Sequence, residues 1–213
     1  MNPVTKRPLD ASKGAEQSEE TFSLAALRQG DAAEFARLVD AYSGMIYRLA
    51  SRMLQNPQDA EDVLQETFIK AYKALPAFDG RSKLSTWLYR IATNEALMLL
   101  RKKTLPTVSV NAPLEDADPE GFELEIVDWC CLPESELMSE EARRYLDESI
   151  EALPETLKSV FVLRDLEGLS VRQTAEVLGI SEGAVKTRLH RARLALREML
   201  TAYFKERLPA SGL

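Results

Sequence analysis

The densest group of side chains able to do chemistry lies between Gly168 and Met199. Lys186, Thr187, Arg188, His190, Arg191 and Arg193 share one short segment, while Val185, Leu189, Ala192 and Leu196 recur every three or four residues along it. That spacing predicts a helix with an apolar stripe and a basic outer face. Ammonium and guanidinium groups in such a row pair with phosphates, and Arg or Lys can reach the O6 and N7 acceptors of guanine. His190 is the only histidine of the chain and stands on this exposed face, where a Ser-His-Asp or Cys-His relay has no shelter. The sequence contains no HExxH, no Gly-rich phosphate loop and no paired-cysteine zinc spacing. The chemistry on offer is recognition of nucleic acid, so no enzyme activity, metal or cofactor is expected.

The elements that must hold this face can be read around it. Ser170 precedes an apolar-periodic run and Gln173 follows three residues later, the pattern of a capping box. Val171, Ala175 and Leu178 then share a helical face, and Gly179 supplies the positive φ that ends the helix. Ser181 is placed to cap the second, basic helix, with Glu182 beside it. Two helices joined by a glycine turn, the second one basic, predict a helix-turn-helix whose second helix enters the major groove. An ordinary αα-hairpin with a solvated basic face is the alternative on this stretch alone.

Upstream, Phe35, Leu38, Val39, Tyr42, Ile46, Leu49, Ala50 and Met53 keep a 3.6-residue period, which predicts a long helix from Asp31, its cap, to Leu54. Asn56-Pro57 breaks it and Asp59 is placed to start the next, which runs to about Leu75 and buries Ala60, Val63, Leu64, Phe68, Ala71 and Tyr72. Its outer face carries Glu61, Asp62, Gln65, Glu66, Lys70 and Lys73, which needs nothing beyond water, since acidic first turns suit the helix dipole. After Pro76 and the loop Phe78-Asp79-Gly80-Arg81-Ser82, a third helix is expected from about Lys83 to Lys103. It turns Leu84, Trp87, Leu88 and Ile91 inward and carries Arg90, Asn94, Arg101, Lys102 and Lys103 among its polar positions. Three helices with short connections make a small bundle. Beyond the linker, Ala142, Tyr145, Leu146, Ile150 and Leu153 predict one helix, and Leu157, Val160, Phe161 and Leu163 another over Thr156–Leu166.

The net charge of −7 opposes binding to a polyanion, but the sum hides a strong asymmetry. Residues 76–103 carry 6 basic and 2 acidic side chains and residues 168–213 carry 8 and 4, whereas residues 104–140 carry 10 acids and no base. The acidic stretch also holds Pro106, Pro113 and Pro119 and no sustained period, as expected of a flexible linker. Within it Phe122, Leu124, Ile126, Val127 and Trp129 form an apolar patch with no assigned role. The adjacent Cys130 and Cys131 have neither metal-ligand spacing nor a relaxed disulfide geometry and are read as reduced thiols. No run of eighteen apolar residues offers a membrane span, and the polar N-terminus lacks the apolar core of a secretory signal. A cytoplasmic protein without membrane insertion is expected.

Three segments together carry a family resemblance: DAEDVLQETFIKAYKAL at 59–75, FDGRSKLSTWLYRIATN at 78–94, and ALPE followed by GLSVRQTAEVLGISEGAVKTRLHRAR within 152–193. The chain resembles bacterial RNA polymerase sigma factors of the extracytoplasmic-function class, group IV of the sigma-70 family. The likeness extends from about residue 24 to 204 apart from the linker. It implies an all-α fold of two small helical domains, an N-terminal bundle and a C-terminal helix-turn-helix domain, joined by the acidic flexible linker. The expected boundaries are a tail at 1–22, a region 2 domain at 23–103, the linker at 104–138, a region 4 domain at 139–205 and a tail at 206–213.

The resemblance also implies partners and sites. Asp62, Gln65, Glu66 and Phe68 would dock on the clamp helices of the largest subunit of core RNA polymerase, and the C-terminal domain on its flap. Asp79, Gly80, Arg81, Ser82, Lys83, Arg90 and Asn94 would read the −10 promoter element as its strand opens, holding an extruded base in the loop. Ser181, Glu182, Lys186, Thr187, Arg188, His190 and Arg191 would read the −35 element as duplex. The linker would thread polymerase channels otherwise used by RNA. Family members are often held by an anti-sigma factor, an expected partner that the sequence leaves unnamed. Two other readings stay open here: a sigma-like protein that only sequesters an anti-sigma factor, and a freestanding helix-turn-helix regulator. The second would leave the 59–75 face unexplained.

Overall fold

The computed structural model describes residues 22–103 and 140–207, and all of their regular structure is helical. The acidic linker, its Phe122–Trp129 patch, Cys130, Cys131 and most of both expected tails lie outside the described residues. In the first half α1 (Leu24–Arg28) leads into α2 (Ala32–Leu54), α3 (Pro57–Ala74), a 3₁₀ turn (Leu75–Ala77) and α4 (Leu84–Lys103). The second half holds α5 (Glu140–Glu151), α6 (Glu155–Phe161), a π-helical turn (Val162–Leu166), α7 (Val171–Leu178) and α8 (Glu182–Arg207).

Local chemistry explains where the helices start. The Asp31 carboxylate accepts the Glu34 N–H at 2.9 Å, capping α2 as expected. The start of α3 is two residues earlier than expected. Asn56 is its cap, accepting from the Gln58 and Asp59 amides, and Pro57 occupies the first turn, where its missing N–H costs nothing. Asp59 instead lies inside the first turn and pairs with Lys103. Helix α1 was not anticipated, because five residues are too few to show a period; Ser23 caps it and Leu27 anchors it in the core.

Helices α2, α3 and α4 enclose Leu38, Ile46, Leu49, Ala50, Met53, Ala60, Val63, Leu88 and Ala92, all nearly inaccessible to solvent. Tyr72, expected inside, is 48% exposed. Its ring packs edge-on against Phe35 at 4.9 Å, covering the flank of the bundle with its other face to solvent.

The second half has no comparable centre of its own. Ile150, Leu153, Ala192 and Leu196 form one small cluster, and Val160, Ala175, Val185 and Leu189 another. Val162, Leu163, Leu169 and Val177 belong to the core of the first half. The expected helix over Thr156–Leu166 changes pitch to allow this. From Val162 the Glu167 N–H bonds back five residues to the Val162 carbonyl at 2.9 Å. This wider turn shifts the register, so Val162 and Leu163 meet the first half while Phe161 stays with the second.

Polar contacts reinforce that seam. Arg52 of α2 donates to the Leu166 carbonyl at 2.7 Å and to the Glu167 carboxylate at 2.6 Å. The Tyr89 hydroxyl of α4 donates to the other oxygen of Glu167 at 3.0 Å, and the Gln55 side-chain amide to the Asp147 carbonyl at 2.9 Å. The halves expected to hang on a linker therefore also share an interface. Among the described residues no helix is long and apolar enough to cross a membrane.

Candidate nucleic-acid interface

The helix-turn-helix is built as the sequence requires. Ser170 accepts the Gln173 N–H at 3.1 Å while the Gln173 side chain accepts the Ser170 N–H at 2.9 Å, completing the capping box. Gly179 ends α7 at φ +66°, with no atom within 4 Å of where a Cβ would stand, so conformation rather than space selects glycine. The Ser181 hydroxyl accepts the Ala184 N–H at 3.1 Å, which commits it to capping α8. From that start α8 exposes Glu182, Lys186, His190 and Arg191 to solvent, with Thr187 and Arg188 half-buried beside them. Arg193 leaves this group: its guanidinium holds Asp165 of the π turn through two 2.8 Å bonds. The outer face is thus shorter than the run of cations suggested.

In the first half, the loop before α4 turns at Gly80, φ +78°. Asp79 organises it, accepting the Arg81 N–H at 3.1 Å and pairing with the Arg81 guanidinium at 2.8 Å, while that guanidinium stays largely in water. Lys83 is exposed and Ser82 half-buried. Phe78 and Trp87 pack together at 4.8 Å inside the core, and the Phe78 carbonyl accepts from Arg28. They hold the loop from behind and are not stacking platforms. On α4, Arg90 and Asn94 are exposed one turn apart, and Met98, 59% exposed, continues their stripe. Tyr89 points the other way, into the seam; burial first, and then the Glu167 charge, push its hydroxyl far above the usual phenol range.

The face of α3 expected to meet a protein partner exposes Asp62 and Gln65, with Glu66 half-buried. Phe68 does not belong to it: the side chain is buried and lies edge-on to Phe35. Ile69, 46% exposed, and Tyr72 take its place on the outer surface. The sequence held the signal for Ile69, since positions 62, 65, 66 and 69 share a helical face. Lys70, between them, is raised above the ordinary lysine range by its hydrogen bond to Glu95 at 2.6 Å. Among the described residues no cluster of His, Cys, Asp and Glu could hold a metal ion.

Two family descriptions match the chain, "Sigma-70 region 2" over residues 38–105 and "Sigma-70, region 4" over residues 143–196. The ECF RNA polymerase sigma factor SigW of Bacillus subtilis is 43% identical over 176 residues, covering 82% of this chain and 92% of the relative. The ECF RNA polymerase sigma-E factor of Escherichia coli K12 is 37% identical over 185 residues, covering 85% and 94%. Among solved structures, CnrH in complex with the cytosolic domain of CnrY superposes with a TM-score of 0.60 at 26% identity, covering 84% of this chain and 95% of that one. The sigma factor RpoE of Bartonella quintana, solved with the anti-sigma factor NepR, shares the fold at a TM-score of 0.58 and 23% identity, covering 80% and 98%. Two matched regions in order, two separate basic faces and relatives matched over nearly their full length lead to one conclusion: the chain belongs to the extracytoplasmic-function sigma factors of the sigma-70 family, which bind RNA polymerase and promoter DNA.

Proposed function

We propose that this sigma factor docks core polymerase through α3, reads the −10 element with the Asp79–Lys83 loop and α4, and reads the −35 element with the start of α8. The observation that carries the reading is that each matched region brings its own solvent-facing cationic surface. These are Arg81, Lys83 and Arg90 with Asn94 in one, and Lys186, Arg188 and Arg191 with Thr187 and His190 in the other. The −35 surface suits duplex, because a helix with cations near its N-terminal end fits the major groove, and each bidentate pair to guanine supplies about 1–3 kcal/mol of discrimination. The −10 surface is a glycine turn stiffened by the Asp79–Arg81 pair beside exposed polar side chains. That arrangement suits an extruded base, whose unstacking costs a few kcal/mol offset by edge hydrogen bonds and backbone contacts.

Asp62, Gln65 and Glu66, extended by Ile69, are the proposed contact with the clamp helices, with Phe68 setting the helix from inside. The C-terminal domain would meet the flap, and the linker would lie in polymerase channels. Because CnrH was solved with the cytosolic domain of CnrY, a protein partner acting as anti-sigma factor is proposed for this chain too. Run-off transcription with core polymerase on a promoter library tests the reading. Lys186→Ala with Arg191→Ala should weaken promoter use and spare core association, and Asp62→Ala with Gln65→Ala should do the reverse. Loss of core binding in the first pair would show that the surfaces are misassigned.

A further inference from the structure

Helix α1 precedes the matched region 2, which begins at residue 38, and neither DNA face includes it. Its position gives it a task. Arg28, the last residue of α1, donates from Nε to the Phe78 carbonyl at 2.9 Å, across 50 positions of sequence. Phe78 is where the chain enters the Asp79–Lys83 loop, between the 3₁₀ turn and α4 and inside neither. On the same helix Leu24 stands beneath the tip of that loop: a Cβ on Gly80 would meet Leu24 Cδ1 at 3.4 Å.

The ends of the loop are fastened to each other. The Phe78 ring packs on Trp87 at 4.8 Å, and the Trp87 N–H bonds to the Lys83 carbonyl at 3.0 Å, which fixes the exit. The Phe78 N–H turns back to the Leu75 carbonyl at 3.0 Å, while the Phe78 carbonyl, the last acceptor before the loop, goes to Arg28. The Asp79–Arg81 pair is internal to the loop, so it shapes the tip without fixing its direction. Direction comes from α1, through one hydrogen bond at the entry and one apolar contact at the tip.

Helix α1 can do this because α2 holds it in turn. The Glu34 carboxylate accepts the Ser23 N–H at 2.7 Å, Leu27 is buried in the core of the bundle, and the N–H of Asp31, the cap of α2, bonds to the Ala26 carbonyl at 3.0 Å. A helix of five residues does not persist alone in water. These ties make it an extension of α2, and the brace runs from α2 through Arg28 and Leu24 to the loop.

Holding an extruded base puts a demand on that brace. Such a pocket needs its hydrogen-bonding groups placed to within about 0.5 Å, and side chains that touch no ligand supply the placement. We propose that α1 sets the position of the −10-reading loop, with Arg28 as its positioning residue, so that base discrimination at −10 depends on a side chain that does not touch DNA. This rests on the assignment of the loop to the −10 element made above.

Two variants separate the bond from the charge. Arg28→Gln loses the charge but keeps an N–H donor as many bonds from the backbone as Nε, whereas Arg28→Met has similar length and no donor. The promoter library gives the −10 sequence preferred by the wild-type holoenzyme. Run-off is then compared on that promoter and on one with a single base changed in the −10 element. Arg28→Met should lower the ratio of the two about tenfold, the effect of losing one hydrogen bond, and Arg28→Gln should stay within about twofold of the wild type. Core association and discrimination at −35 should be the same in all three proteins.

Wild-type discrimination in Arg28→Met would overturn the brace. An equal fall in both variants would overturn it too, and a salt slope lowered by about one unit alongside would identify Arg28 as a phosphate contact. Should Arg28→Met lose helix content by circular dichroism, Leu24→Ala decides by the same ratio, with a smaller fall expected and an unchanged ratio refuting the brace. Lys83→Ala scores the assignment of the loop separately. Unchanged −10 discrimination there sinks the assignment, whereas a fall there beside an unchanged Arg28→Met sinks the brace alone.

Discussion

The two halves of this sigma factor are similar in size and helix content but bury their apolar side chains in different ways. The first surrounds one core, with α2 supplying Leu38, Ile46, Leu49 and Ala50 at almost no exposure. The second divides its interior between two four-residue clusters, one on each end of α8, and sends four more apolar residues into its neighbour. Small domains bury a smaller share of their surface and are marginal alone. The difference teaches that the second half gains stability from the first, for as long as the seam is closed.

The largest test of that contrast compares equivalent truncations. Leu49→Ala should cost about 4 kcal/mol, near the upper end of the leucine-to-alanine range, because helices on several sides prevent the cavity from collapsing. Leu196→Ala, in the cluster of Ile150, Leu153 and Ala192, should cost about 2–3 kcal/mol, since a small cluster near solvent relaxes more readily. Urea unfolding followed by circular dichroism measures both, and equal or reversed costs would remove the contrast.

The halves were unequally legible in the sequence as well. Long periodic runs announced α2, α3, α4 and α8, and capping chemistry placed Ser170, Gly179 and Ser181 correctly, because those signals act over three or four residues. Of the site residues, the solvent-facing positions of α8 and the Gly80 loop followed from periodicity and turn chemistry. Phe68 was read in two ways: periodicity placed it inside, where it lies edge-on to Phe35, while the family resemblance placed it with Asp62 and Gln65 on the docking face. The seam was illegible. Arg52 and Glu167 stand 115 positions apart, and nothing local distinguishes them from other charged residues. The pairing of the exposed Arg193 with Asp165 was illegible for the same reason, since the two stand 28 positions apart.

A second, smaller effect separates the halves by pH. Lys158 is buried in the second half, 5% exposed, and burial lowers its pKa below the ordinary 10.5, with Glu151 and Glu155 opposing. Between the lowered value and 10.5 the folded chain binds fewer protons than the unfolded one, so this residue adds stability as pH rises and costs most below that window. Lys158→Met should therefore stabilise the second half by about 1 kcal/mol near neutral pH. The gain should shrink as pH approaches 10.5. Thermal melts of both proteins across pH 7 to about 10 measure it, and a pH-independent difference would show that packing rather than charge is responsible.

A third change acts through the backbone. Gly179→Ala forces a Cβ onto φ +66° in otherwise open space, so strain is its only cost, about 1 kcal/mol. The loss should appear in the melting of the second half and leave the first unchanged. A loss several times larger would mean that the turn also fixes the angle between α7 and α8.

The smallest effect on DNA is expected at Arg193, and it gives the sharpest test of where the basic face of α8 ends. Arg193 and Arg191 are both exposed and two positions apart, so composition alone treats them alike. The structure separates them, because Asp165 takes two of the Arg193 donors and places a negative charge beside them. Arg191→Ala should lower the salt dependence of holoenzyme binding to a −35 duplex by about one unit of slope, as expected when one phosphate contact is lost. Arg193→Ala should leave that slope unchanged and cost about 0.5 kcal/mol of stability, the scale of an exposed ion pair. Filter binding over a salt series measures both slopes. An equal fall in the two variants would mean that Arg193 leaves Asp165 when DNA arrives, and that the face extends a further half-turn along α8.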